Sequence, residues 1–556
     1  MRRTRRHSLS EIEAGAPVVG ESKSLLYPSQ ITAEFALQAG KVQNLREVAR
    51  RLNGIRIPAG EIFSFWAQVP RPSMGRGFAL GRELREGCVI PSIGGGLCQM
   101  SNALYEVALK SGFEIVERHG HSRILPGSMA EAGRDATIFW NYVDLRFKPA
   151  TDVQMEIVLG RGELLVRVRD LSSISQSVDR DDSQRQRVAD PPAAGELVES
   201  CETCGVTDCF RHPETLHLPT KPITAWLVDA YWPEYNAYIR RNRTDRDCLF
   251  LPLDSHRFRL GNYLWDRSGF AEVHQSPMAV ARRSVVSRRL AAQGAARQRA
   301  LLQMDEQLAK SYLRRIPYAA SHLVVSQNLL PFLWQHGVLG GRTFDVLMTR
   351  PPMTELQATL DRAAKRWPMS PTLADFRADP RLLELERQAL AEARSWITPH
   401  SEVARLAGDR AMKLDWHLPK MEPVIADGDR WLFPASTLGR KGAWELRELA
   451  RRLDLSIKVT GPNLELPDFW EGIDVEQGDF SLQGVRGIIL PTWVEHQPRR
   501  LLQAVASGLP VFASRDCGLE GIEGVTVVDS FSDFDPEQRH AVEVVTRKPL
   551  GRFSSS

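Results

Sequence analysis

The stretch CQMSNALYEVALKSG, which begins at Cys98 just past the glycine run 94–96, sets a thiol at the head of an amphipathic segment. Met100, Leu104, Val107 and Ala108 fall on one face at helical spacing, so the segment predicts a helix that holds Cys98 at its amino end. Unpaired N–H groups and the helix dipole favour the anionic form of a thiol placed there. In GFEIVERHGHS, read as a strand, His119 and His121 share one face, and Asp135 in GRDATIF begins another strand. A Cys on a helix followed by a His and an Asp on later strands is the chain order for a nucleophile, the base that activates it and the acid that orients the base. The competing reading makes Cys98 a packed thiol beneath a glycine-rich loop that binds an anion or a peptide. Gln99 is either an oxyanion donor or a loop cap, and the three glycines allow a substrate backbone to approach.

A second group is Cys201, Cys204, Cys209 and His212, spaced Cys-x2-Cys-x4-Cys-x2-His. Four such ligands wrap one tetrahedral zinc, and Gly205 lets the chain double back. The expected cofactor is a structural zinc in a closed, non-catalytic site, with an iron–sulfur cluster or free thiols as the alternatives. Cys88, Cys248 and Cys517 stand in ordinary contexts and read as small buried residues.

These groups need elements to hold them, and composition bounds those elements. A chain of 556 residues exceeds what one core sustains and implies a multidomain protein. A net charge of +4 provides no global field for nucleic acid, and the basic stretch 281–302 reads as a solvated helix face. No apolar run is long enough to cross a bilayer, which leaves room only for peripheral membrane contact, and the basic opening lacks the apolar segment of a signal peptide. The expectation is a cytoplasmic, reducing location, which suits an odd number of cysteines, seven in all.

The predicted fold class is multidomain α/β. Residues 24–170 form a mixed α+β domain, and 171–200 form a polar, proline-bearing linker. A metal-binding connector at 201–213 then leads into two doubly wound domains at 214–420 and 421–540. Short apolar strands such as CLFLPLD, FDVLMTR and GVRGIILP alternate with helical segments, which argues for parallel sheets covered on both faces.

The segment FPASTLGRKGAWELRELARRL, followed by IKVTGP and VRGIILPTWVEHQPRRLLQAVASGLPVFAS, resembles the nucleotide-sugar-binding domain of GT-B glycosyltransferases. The resemblance implies two Rossmann-like domains in GT-B arrangement and a retaining mechanism. It implies that Glu495 contacts the donor sugar, that Gln503 stands where the family has a ribose-binding Glu, and that Lys441 faces the diphosphate. Ser436 replaces the family's usual Arg, with Arg440 nearby as a substitute. Pro498 reads as the first residue of a helix whose amino end, with Arg499, lies at the diphosphate. Asp229 and His400 are acceptor-side candidates, and Thr398 or Ser401 is the expected helix cap near them.

PSIGGGLCQMSNALYEVALKSGFEIVERHGHS with AGRDATIFWNYVDLRFKP resembles the VanW family over residues 24–150. The combined expectation is a VanW-like protein fused to a glycosyltransferase, which moves sugar from a nucleotide-sugar donor to an envelope glycan or peptide-glycan acceptor. The alternatives are an amide hydrolase or acyltransferase centred on Cys98, and a non-catalytic scaffold for envelope precursors.

Overall fold

The computed structural model describes residues 4–27, 35–85, 88–121, 133–172, 199–200, 221–254, 263–290, 294–375 and 377–536. The N-terminal part is built around a four-stranded antiparallel sheet. Strand β1 (Val18–Leu25) pairs with β9 (Glu163–Asp170), β9 with β8 (Val153–Leu159), and β8 with β2 (Arg56–Ile57). Along β8 and β9 alternate residues are buried, because one face packs on the core and the other meets solvent. Two helices cover the buried face: α1 (Phe35–Leu52) and α2 (Cys98–Lys110). Leu45, Val48 and Leu52 of the first join Met100, Leu104 and Val107 of the second in one apolar cluster with Met155, Val166 and Val168. Two smaller sheets flank this core: β4 (Leu80–Arg85) with β5 (Cys88–Ile93), and β3 (Phe63–Ser64) with β7 (Arg146–Lys148) and β6 (Glu114–Glu117).

The glycine run is explained by this packing. Gly94 and Gly96 take φ of +85° and +87°, a region that only glycine enters readily. A Cβ on Gly95 would lie 2.4 Å from the carbonyl oxygen of Gly81, and one on Gly96 would lie 2.1 Å from the side chain of Lys41. The loop is pressed against α1 and β4 by its own backbone. The expected approach of a substrate backbone to these glycines is replaced by the approach of the protein's own chain.

The C-terminal part contains two wholly parallel sheets. The first runs β13 (Glu272–Gln275), β12 (Cys248–Leu251), β11 (Ile223–Leu227), β14 (Ala320–Ser326), β15 (Thr343–Leu347), β16 (Ser395–Thr398), β17 (Ala411–Lys413), and the second runs β20 (Val475–Gly478), β19 (Ile457–Thr460), β18 (Trp431–Phe433), β21 (Gly487–Leu490), β22 (Val511–Ser514), β23 (Val525–Val528). Counted from its own first strand, each order is 3-2-1-4-5-6, with a seventh strand on the first sheet. That is the doubly wound Rossmann order, in which a crevice opens at the carboxyl ends of the strands where the winding reverses. Strands β11 and β18 and the β21 strand (Gly487–Leu490) are nearly fully buried, as parallel strands between helical layers must be. A single apolar cluster runs from Trp226, Trp232 and Tyr235 of the first domain to Trp431, Leu446 and Phe512 of the second, so the two domains share a core.

The N-terminal part docks on the first Rossmann-like domain through one buried guanidinium. Arg46 of α1 donates from Nε and Nη2 to the carbonyl oxygen of Gly340, at 2.9 and 2.8 Å. Burial pulls its pKa down to about 10. Tyr27 donates its hydroxyl to the Gly341 carbonyl at 2.7 Å, and the Gly341 N–H donates to Gly160 at 2.9 Å. A charged donor lost from such a site costs roughly 2–3 kcal/mol, since the carbonyl is left dry and unpaired. Arg46→Ala is therefore expected to split calorimetric unfolding, with the N-terminal part melting first. A single transition at unchanged temperature would remove Arg46 as the anchor.

Candidate active site

Helix α2 begins at Cys98 itself, two residues before the apolar pattern starts at Met100. Its first turn reaches across to the segment after Gly133. Ser101 donates its hydroxyl to the Ala136 carbonyl at 2.5 Å, and the Asn102 side-chain oxygen accepts the Ala136 N–H at 2.8 Å. Ala136 is thus fixed at both polar groups, and its neighbours are aimed by it. Asp135 accepts from the His121 ring through Nδ1 at 2.5 Å, and its other oxygen accepts the His121 backbone N–H. Thr137 places its Oγ1 3.8 Å from the Cys98 sulfur. The Cys98 thiol lies close enough to the same side chain to raise its pKa. His121 thus neighbours both the thiol and the carboxylate.

Burial lowers the affinity of His121 for a proton, but the bonds to Asp135 and Cys98 outweigh it and push its pKa up to about 10. Asp135 shows the reciprocal effect. Burial opposes its charge, yet the His121 ring and backbone hold its carboxyl below the usual range.

The strand predicted to carry both histidines stops at Glu117, and His121 lies beyond it. His119 turns to Glu117 at 3.6 Å and is half exposed. Its backbone pairs with Thr137 in an isolated bridge, so the segment from Asp135 is extended without forming a full strand. The Gln99 amide donates to Ser24 Oγ and to the Leu25 carbonyl, at 2.9 and 2.8 Å, which ties α2 to β1 and occupies the donors expected to serve an oxyanion. Sequence reasoning missed Ser101, Asn102 and Thr137. A serine and an asparagine in the first turn of an apolar helix, where they are poor helix formers, were the available signal.

In the second Rossmann-like sheet, Lys441 and Glu495 meet in the crevice between β18 and β21. Lys441 Nζ lies 2.7 Å from Glu495 Oε2 and donates to the Val494 carbonyl at 3.2 Å. Burial works against the Glu495 charge, but Lys441 wins and the carboxyl stays below its ordinary range. His496 beside it is driven down, by burial first and by Lys441 second, and its Nδ1 is buried without a partner. Arg440 contributes its carbonyl, which accepts from Thr492 and from the N–H groups of Trp493 and Val494. The following helix spans Arg499–Ala506, with Pro498 at its cap position, and Gln503 is half buried in its second turn.

Arg499 faces the opposite domain. Its guanidinium makes a bidentate pair with Glu234, 2.7 Å on each arm, and lies over the rings of Trp232 and Trp416 at 5.3 and 5.5 Å. Glu234 is completely buried and also accepts the His417 N–H. His400, expected on the acceptor side, caps the helix Ser401–Ala407 through Nδ1 in place of Thr398 or Ser401. Its Nε2 donates to the carbonyls of Glu495 and Asp516 at 3.1 and 3.2 Å, joining the two domains. Asp229 is buried and accepts from Asn328 at 2.8 Å.

Cys201, Cys204, Cys209 and His212 lie outside the described residues, as does most of the 171–200 linker. Among the described residues no three His, Cys, Asp or Glu side chains are grouped to hold a metal, and no helix is long and apolar enough to cross a membrane.

Residues 40–169 match the family model described as VanW like protein. This segment is a VanW-like domain. The domain carries all of Cys98, His121 and Asp135. Over 140 residues the chain is 35% identical to the vancomycin B-type resistance protein VanW of Enterococcus faecalis, a stretch covering 25% of this chain and 51% of that protein. Over 105 residues it is 30% identical to the uncharacterized protein YoaR of Bacillus subtilis, covering 19% of this chain and 34% of that one. The chain therefore spans about half the length of the first relative and a third of the second. Solved structures similar to the C-terminal portion are GT-B glycosyltransferases. They include the lipopolysaccharide outer core galactosyltransferase WaaB (12% identity, 58% of this chain, 90% of that chain, TM-score 0.31). Another is AviGT4, a glycosyltransferase involved in avilamycin A biosynthesis (12% identity, 58% and 87%, TM-score 0.31). A third is Arabidopsis thaliana UGT89C1 complexed with UDP-L-rhamnose (10% identity, 59% and 90%, TM-score 0.30).

The His121–Asp135 pair in the VanW-like domain has a pH signature. His121 binds its proton more tightly folded than unfolded, so its stabilisation is complete below about pH 6.5 and is lost as pH rises through about 10. Asp135, with its pKa lowered, contributes above its ordinary range near ~4 and loses that contribution as pH falls. The melting-temperature gap between wild type and Asp135→Asn should thus be widest at about pH 5–6.5 and close toward pH 10. A gap that widens with rising pH would show that the pair is not ionic.

Proposed function

We propose that the VanW-like domain is a cysteine-dependent acyl-transfer centre that cleaves or exchanges an amide on an envelope peptide-glycan. The observation that carries this reading is the single imidazole bonded to Asp135 and lying near enough to Cys98 for the thiol to raise its pKa. With its proton on His121, the Cys98 sulfur attacks the carbonyl carbon, forming a C–S bond while negative charge builds on the carbonyl oxygen near the amino end of α2. The tetrahedral adduct collapses, the C–N bond breaks, and His121 gives its proton to the leaving amine. Water or an acceptor amine then attacks the thioester, His121 takes the incoming proton, and the thiol is released. Asp135 keeps the ring oriented and stabilises the imidazolium. The relative named for vancomycin resistance supports an envelope peptide as the substrate class.

Turnover of stem-peptide amides, followed by mass spectrometry, tests this. Cys98→Ala should bring it to background, His121→Ala should cost about 10³-fold or more in kcat, and Asp135→Asn about 10²–10⁴-fold. Full turnover in Cys98→Ala would end this reading.

A specific observation favours a second activity in the same chain. The Lys441–Glu495 pair lies at the switch point of a 3-2-1-4-5-6 sheet, where a nucleotide sugar's diphosphate and sugar would be received. The module would transfer that sugar to an envelope glycan or peptide-glycan acceptor, with retention at the anomeric carbon. Lys441, Arg440 and the helix capped by Pro498 would stabilise the departing diphosphate, with Glu495 on the sugar and Gln503 on the ribose. Supporting this would be a thermal shift and donor hydrolysis with one member of a nucleotide-sugar panel, lost in Glu495→Ala and kept in Cys98→Ala. No response from the wild-type chain to any donor would refute it.

A further inference from the structure

Immediately beyond the thiol the chain makes a tight turn that shows three aromatic rings to solvent. The N–H of Val143 donates to the Phe139 carbonyl at 2.9 Å, Phe139 returns the bond at 2.9 Å, and Tyr142 donates to the same carbonyl at 3.0 Å. Asn141 at the tip takes φ +63°, the left-handed conformation that Asn adopts more readily than other non-glycine residues. The turn is anchored from below. Trp66 donates its indole N–H to the Val143 carbonyl at 2.8 Å, and its ring meets Trp140 edge-on, centroids 5.2 Å apart. Even so, Phe139 is 54% and Tyr142 81% exposed. Large apolar rings held out side by side on a hydrogen-bonded turn form an exposed patch of the kind that contact sites use.

Register connects this turn to the thiol. Ala136 and Ile138 are buried in the domain core, so in this extended segment Asp135, Thr137 and Phe139 face the opposite way. Asp135 bonds His121 and Thr137 touches the Cys98 sulfur. Phe139 is the next residue along that face, about 7 Å past Thr137. On the other side of the thiol, Gln99 holds the exposed Leu25 in place. A substrate lying across Cys98 therefore runs onto the rings of Phe139, Trp140 and Tyr142.

We infer that the turn Phe139–Val143 is a glycan-stacking subsite, which binds the sugar portion of the substrate while its acyl portion lies at Cys98. A pyranose has an apolar C–H face and a rim of hydroxyls. The turn offers both, with flat rings for the face and the Trp140 N–H, Asn141 amide and Tyr142 hydroxyl as hydrogen-bonding groups within the same five residues. An acyl chain would use the rings alone. The inference deepens the acyl-transfer reading and rests on it for the identity of the acyl part.

Binding can be measured apart from chemistry. Chitohexaose is titrated calorimetrically into the full chain carrying Cys98→Ala, with and without Phe139→Ala and Tyr142→Ala together. The expected result is saturable binding that weakens at least tenfold in the triple variant and is restored when position 139 carries Trp. Absence of chitohexaose binding to Cys98→Ala overturns the subsite, as does equal affinity in both proteins. So does co-sedimentation with phosphatidylglycerol vesicles that depends on the same two rings, because the turn would then be a membrane contact. Failure of the thiol to turn over any amide leaves this titration unaffected, so the two ideas fail separately.

Discussion

The candidate centre of the VanW-like domain depends on one clamp, the grip of the first turn of α2 on both polar groups of Ala136. Asp135 and Thr137 lie on either side of that residue, and an extended chain points both to the face opposite the buried Ala136. The same helix starts at Cys98, so thiol and carboxylate are referred to one rigid element. His121 need then be brought only into the gap between them. Its ring and its backbone N–H both bond Asp135, which fixes its position although it lies beyond the end of its strand. The helix is steadied in turn by apolar packing and by the Gln99 tie to β1. The geometry of this cluster is thus a consequence of core packing transmitted through two hydrogen bonds.

What was legible of this site follows from periodicity and chemistry. The helix and the order of Cys, His and Asp could be read because apolar spacing and residue type are local properties. Residue order favours His121 over His119 as the partner of Cys98 and Asp135, although on one strand face the two are equivalent; the strand ends at Glu117, and His121 bonds Asp135 from beyond it. The glycine run had a sound reason for its composition and an unforeseeable partner. Lys41 comes from α1, far along the chain, and Gly81 from β4, the strand paired with β5. Gln99 presents the same difficulty, because a side-chain amide serves whichever acceptors tertiary structure supplies.

The parallel sheets were legible because a strand buried on both faces leaves an uninterrupted apolar run such as GIIL. The strand β1 was not, since VVGESKSL alternates too weakly to stand out, and its pairing with β9 is long-range. The cap at His400 was hidden for a different reason. A neutral imidazole seldom caps a helix in preference to Ser or Thr. Burial keeps this one neutral, with Nδ1 accepting from the helix and Nε2 left to donate across the domain boundary.

The two candidate centres place their charges in opposite ways. In the VanW-like domain the charged groups face a partly open surface, with Cys98 and the His121 ring both accessible. In the Rossmann-like pair the available cation at the helix start, Arg499, is already neutralised by Glu234 and enclosed by Trp232 and Trp416. A buried bidentate pair of this kind is expensive to break from one side, because the partner left behind keeps its charge without water. Glu234 thus stands as the internal anion at a position where the Rossmann order would admit an external one, and His400 bridges the same boundary through two carbonyls. An anionic ligand entering here must offer Arg499 as much as Glu234 does. Lys441 is paired with the less deeply buried Glu495, so separating that pair leaves a carboxylate that water can still reach.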